Sequence, residues 1–301
     1  MLAATTYGMQ ERFMEREAIE VQAPIAQQEE IAQPVKQQAA PQQIAQRDPE
    51  QQKAIKTLAS FLTTKRLVKK LHGFFMRSAK PTKELLRSFF FYCDFHKDQL
   101  VKLKECMHER AKLIQQAIPI SAHTGFYLLE SPQMKKIMEL MHKGQTIEDD
   151  EPRAIDLEAV EKQLAQDNPT LHAQLQDLKK QLELFDKKWK PFFETLIPYI
   201  QARVQLHREA LEKDAQSFMI SLIWRNLGPA LGLGIEGYTK IKNIDFQDEQ
   251  VMRDLVKEIL DNALANRAEL EATMIECAQE TATVYGDIFN AAIKEAMKRV
   301  P

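Results

Sequence analysis

The stretch Ser217–Tyr238, SFMISLIWRNLGPALGLGIEGY, decides how this chain is read. It holds four of the nine glycines, Gly228, Gly232, Gly234 and Gly237, behind an apolar run from Phe218 to Trp224 that only Ser221 interrupts. Gly228-Pro229 reads as a helix stop and the glycines as freedom for a reversal, so the expectation is an apolar elbow between two long helices. Ile223, Trp224, Leu227, Leu231, Leu233 and Ile235 are too apolar for an open loop and are expected to be covered by the chain or by a partner. Arg225 and Asn226 cut the run below the ~18 wholly apolar residues of an ordinary membrane span.

Upstream, Asn168-Pro169 signals a helix start. Leu171, Leu175, Leu178, Leu182, Phe185, Trp189, Phe192, Leu196 and Tyr199 then alternate spacings of four and three, the seam of a helix packed as in a coiled coil or antiparallel bundle. Pro191 and Pro198 inside it predict kinks, and Leu206, Ala210 and Phe218 carry the seam on towards the glycines. Downstream, residues 245–299 show an apolar face of period close to 3.6, the pattern of one nearly straight helix. Its stretch 245–287 carries eleven acids and three bases, a local charge of −8.

Towards the N-terminus the charge reverses. Residues 53–87 hold ten Lys/Arg against the single acid Glu84, a local charge of +9. Phe61, Leu67, Val68, Leu71, Phe74 and Phe75 share a helical period with Lys65, Arg66, Lys69 and Lys70 on the opposite side, a basic amphipathic helix that can face the acidic one. Pro81 and Pro119 read as breaks, giving a second helix from Thr82 to Ile118 that opens with the cluster Phe89, Phe90, Phe91, Tyr92 and Phe95. Ser131-Pro132 and Gly144 bracket a short helix.

Scarce glycine with abundant Leu, Lys, Glu, Gln and Ala predicts an all-α class. The organisation expected is a disordered Gln/Ala/Pro-rich arm over 1–47, a basic, aromatic-rich helical region over 48–144, an acidic loop and short helix over 145–168, and a long helical hairpin over 169–301 with its apolar junction at 217–238. In outline this is an elongated bundle of proline-kinked helices. Three widely separated cysteines form no disulfide framework, which fits a reducing compartment. The N-terminus lacks the basic start and apolar core of a signal peptide.

Chemistry-bearing motifs are few. Glu105-x-x-His108 and Glu139-x-x-His142 have the residue types of di-metal carboxylate bundles, but only 34 residues separate them, too few for the usual intervening helix. Cys93-x-x-His96 with Cys106-x-His108 would span about 20 Å on a continuous helix, too far to close on zinc. Gly232-x-Gly234-x-x-Gly237 matches a dinucleotide fingerprint without the strand-to-helix context that the fingerprint needs. His123, in what reads as a loop, has no visible partner. No catalytic residue, metal or cofactor is therefore assigned.

The function expected is a non-enzymatic scaffold or adaptor acting through protein partners in a larger assembly. Its candidate contact residues are Lys65, Arg66, Lys69 and Lys70 with the apolar set 223–235 named above. The basic helix offers an anionic membrane surface as the alternative partner, and a di-metal enzyme is the third reading; nucleic acid finds no reader motif. The apolar, glycine-containing insert between long helices resembles the membrane-inserting tongue of helical pore-forming toxins. The helical body behind a Gln/Pro arm resembles bacterial secretion-machine accessory subunits or exported effectors. The expected location is cytoplasmic, or peripheral at a membrane.

Overall fold

The computed structural model describes residues 49–143 and 156–300. The arm over 1–47, the cap Asp48, the Gly144 stop and the acidic loop lie outside the described residues. Every regular element among the described residues is a helix: α1 (Pro49–Leu62), α2 (Lys65–Cys93), α3 (Lys97–Glu130), α4 (Pro132–Lys143), α5 (Leu157–Asp167), α6 (Pro169–Leu206), α7 (Arg208–Ile241), α8 (Glu249–Ala265) and α9 (Arg267–Met297). An all-α helical bundle is thus what the composition forms.

Several helix starts fall where cap chemistry puts them. Asn168 Oδ1 accepts the Leu171 N–H at 3.0 Å ahead of Pro169, and Ser131 Oγ accepts the Met134 N–H at 3.2 Å ahead of Pro132. Each satisfies an amide that the first helical turn leaves without a partner. The seam of α6 also packs as its spacing demands, with Leu171, Leu175, Leu178, Trp189 and Leu196 buried.

Several expectations about helix ends are corrected. Pro81, Pro119 and Pro229 do not stop helices; they lie inside α2, α3 and α7. A proline removes one ladder bond, and near Pro81 other donors reinforce the backbone: Thr82 Oγ1 donates to Ser78 O at 2.8 Å and Tyr285 Oη to Phe75 O at 2.9 Å. At Pro229 the preceding residue is Gly228, which has no Cβ for the proline ring to strike. Conversely, the basic helix breaks between α1 and α2, where Thr64 caps Leu67 N–H at 3.3 Å. The seam that was expected to run past Tyr199 breaks at His207, and the terminal helix breaks at Asn266. The cysteine-bearing helix turns at Asp94, whose φ of 48° is left-handed.

The main core gathers one end of α2, α3, α6 and α9: Phe90, Cys93, Phe95, Leu100, Leu103, Leu196, Ala292, Ile293 and Ala296 are buried together. Phe90 meets Phe95 and Phe289 with ring centroids 5.4 and 5.5 Å apart, a spacing favourable for tilted aromatic pairs. A smaller cluster, Ile55, Leu58, Ala59, Ile244, Val251 and Leu255, joins α1 to α8. The charge reversal read from the sequence has a structural counterpart: α2 runs alongside α9, pairing Lys65 with Glu269 and Arg87 with Glu295 at 2.8 Å.

Candidate functional site

Helix α7 contains the whole of Ser217–Tyr238, so the expected elbow is instead the middle of a continuous 34-residue helix. It has no buried residue at all. Four glycines and a proline do not unwind it, and a Cβ added at Gly228, Gly232, Gly234 or Gly237 would meet nothing within 4 Å. Their smallness is therefore not used to pack α7 against the rest of the chain.

The two sides of α7 differ. Its inner side lies on α2, antiparallel: Arg77 Nε donates to Asn226 Oδ1 at 3.0 Å, and ten residues along α7 the Lys70 ammonium bonds Glu236, with Arg66 3.4 Å from the same carboxylate. Leu222 and Leu233 share that side and are half-buried. The outer side carries Ile220, Trp224, Leu227, Leu231, Ile235 and Tyr238, at spacings of three or four that keep them on one face. All six are exposed, from 41% at Leu227 to 72% at Trp224, and Met219 and Ile223 widen the strip. Ile220 and Tyr238 stand eighteen positions apart, about 27 Å along the helix. No charged side chain projects from that face: Arg225 flanks it and Glu236 points inward to its cations.

Among the described residues α7 is also the helix long and apolar enough to cross a membrane by length and composition, with a mean hydropathy of 1.3 over its most apolar window and 0% of that window buried. The sequence-derived set is thus largely brought together: Ile223, Trp224, Leu227, Leu231 and Ile235 are on the exposed strip, whereas Leu233 turns inward. Met219, Ile220 and Tyr238 belong to the strip and were missed, because an elbow has no helical face from which to count. The basic candidates divide. Arg66 and Lys70 converge on α7, Lys65 is taken by Glu269 of α9, and Lys69 is exposed.

The remaining candidates are not assembled. Glu105, His108 and Glu139 are surface residues, and the side chain of His142 lies outside the described residues. Cys93 and Cys106 are fully buried while His96 and His108 are exposed, so thiols and imidazoles point to different environments. Burial pushes the Cys93 and Cys106 thiols up to about 11, and raises that of Cys277 as well. Among the described residues no three His, Cys, Asp or Glu are placed to hold a metal ion. The glycine fingerprint is helical throughout and forms no strand-to-helix turn.

His123 needs correction on both counts. It sits within α3, not in a loop, and its Nδ1 lies 2.6 Å from Glu271 Oε1. Arg267 links Glu271, at 3.5 Å, to Glu130. His123 borders a groove between α3 and α6 lined by Gln116, Ile120, Gln174, Leu178 and Gln181. The lining has no hydroxyl or thiol for an imidazole to activate. The pair ties α3 to α9.

Compared with protein-family models, with curated proteins and with solved structures, the chain matches none.

Proposed function

We propose that this protein is a non-catalytic helical scaffold that docks on a membrane surface through the outer face of α7, displaying the rest of the bundle at that surface. The observation that carries this reading is the charge-free strip from Ile220 to Tyr238, held outward because the helix's polar anchors, Asn226 and Glu236, are engaged by α2. Full burial of a Leu or Ile side chain is worth about 1.5–3 kcal/mol. Eight largely exposed side chains on one helix therefore offer on the order of 10 kcal/mol of gross transfer energy, before the cost of association. A helix lying in the interface plane, apolar side down, realises that energy while its inner contacts stay intact.

A protein partner in a larger assembly is the second reading. Gly228 and Gly232, four residues apart with open space where side chains would be, admit the close approach of another helix. Trp224 separates the two readings, since it is the most exposed side chain of the strip, at 72%. Mixed with lipid vesicles, the full chain is expected to show a blue-shifted emission and protection from iodide, both lost in Trp224→Phe. Unchanged emission at saturating lipid, with the protein remaining in the supernatant after vesicle sedimentation, would overturn membrane docking.

A further inference from the structure

The outer strip of α7 reads alike in both directions. Counted from Pro229, Ile220 and Tyr238 stand nine positions to either side, Ile223 and Ile235 six, and Leu227 and Leu231 two. An antiparallel copy of the helix, related by a two-fold axis level with Pro229, therefore sets each of these residues beside a counterpart from the same strip. At 3.6 residues per turn every such pair straddles one direction, which is the outward one. Five positions from Pro229, Trp224 falls opposite Gly234, where an added Cβ would meet nothing within 4 Å. The bulkiest side chain of the strip thus faces a position that has none, once on each side of the axis.

Size and charge agree with this symmetry. The eight side chains of the strip are 41–72% exposed and at roughly 100 Å² each offer on the order of 800 Å² of apolar surface. Monomers rarely leave more than a few hundred Å² of contiguous apolar surface bare, and one partner's share of a standard interface is about 800 Å². Arg66, Lys70 and Lys240 are engaged on the inner side of α7, with Glu236 and the Phe61 ring. Two strips therefore meet without bringing like charges together.

We infer that in water the strip is covered by the strip of a second copy of this chain, the two α7 helices lying antiparallel across a two-fold axis at Pro229. Such an interface is isologous, each contact occurring twice, and the spacings of three and four suit interlocking side chains. Acyl chains conform to any apolar face and are indifferent to its spacing; a second copy is not. The inference goes beyond the membrane reading: the dimer is the form taken in water, and a bilayer competes with the second copy for the same side chains.

The test is sedimentation equilibrium of the full chain without lipid, followed by thiol cross-linking. A mass near twice 34.7 kDa is expected, falling to one chain on dilution. A single-chain mass at every concentration up to about 100 μM overturns the dimer. Leu231→Lys sets a cation against the partner's Leu227 twice per dimer and is expected to weaken it about 100-fold or more, with the urea midpoint at monomeric dilution unchanged. For the register, Ile220→Cys mixed with Tyr238→Cys is expected to cross-link through a short bismaleimide, the native thiols being buried. Either variant alone is not, because its two thiols lie about 27 Å apart. No cross-link in the mixture, or cross-linking of each variant alone as in a parallel pair, overturns the proposal. Vesicle sedimentation keeps the two readings apart: a chain that is monomeric in water yet sediments with vesicles sinks the dimer alone, and a dimer that never sediments sinks membrane docking alone.

Discussion

Helices α3 and α7 are each 34 residues long, and each contains an internal proline. Helix α3 is the more polar of the two, yet it buries Leu100, Leu103, Cys106, Ile118 and Phe126, packed chiefly against α6 and α9. Helix α7, with Phe, Met, Ile, Leu and Trp crowded into its middle, buries nothing. Burial in this bundle follows position between layers and not apolar content. A helix with neighbours on several sides spends its apolar stripe on folding. One that rests mainly on α2 has a whole face left over, and here that face is the more apolar one.

The sharpest way to break this comparison is to truncate each helix system where it is claimed to matter. Ile293→Ala, in the main core at 0% exposure, is expected to cost about 2–5 kcal/mol in urea unfolding. Leu231→Ser, 58% exposed on α7, is expected to change folding stability by no more than about 0.5 kcal/mol. The same substitution should weaken vesicle binding by about 10–100-fold, the loss of most of one Leu transfer energy. If Leu231→Ser destabilises folding as Ile293→Ala does, the two faces are not different in kind. A smaller effect sharpens the bundle side: Asn168→Ala removes the cap on Leu171 N–H and should cost about 1 kcal/mol, read by the same unfolding curves, with docking unaffected.

The smallest expected effect depends on pH. Hydrogen bonds from the Lys188 ammonium and the Trp189 indole, the latter at 2.8 Å, hold the Glu109 carboxyl below its usual range. Its folded pKa being depressed, the contribution is present above the unfolded value of about 4.3 and is lost as pH falls through the folded one. Solvent exposure of the pair screens it to no more than about 1 kcal/mol. Wild type should therefore lose slightly more stability than Glu109→Gln between pH 5 and 3, and the gap should vanish at the acid end.

Much of the bundle was legible because its signals are local. Asn168-Pro169 and Ser131-Pro132 carry their own cap chemistry, and the Leu171-to-Tyr199 seam needs only a 3.5-residue period. The opposite charges of α2 and α9 likewise announced that these helices meet. What failed was the use of proline as punctuation: at Pro81, Pro119 and Pro229 the helix continues on both sides, and one lost ladder bond is outweighed by the intact turns around it, reinforced near Pro81 by side-chain hydrogen bonds. The real breaks at His207 and Asn266 carry neither glycine nor proline, and the one local mark, Asn266, is a cap-type residue whose side chain makes no cap hydrogen bond. The apolar residues of the candidate site were visible for the same local reason. Their outward orientation was not, since it depends on Asn226 and Glu236 finding Arg77 and Lys70 about 150 residues away in the chain.

The three cysteines supply a clock for this molecule. All are buried, and burial raises the pKa of each thiol; a protonated, enclosed thiol is inert to alkylation. Their labelling rate is consequently set by how often the helices around them part. Helix α7 carries no cysteine, so an event confined to its outer face leaves the clock running at its usual pace, whereas any event that pries the bundle apart makes it run fast.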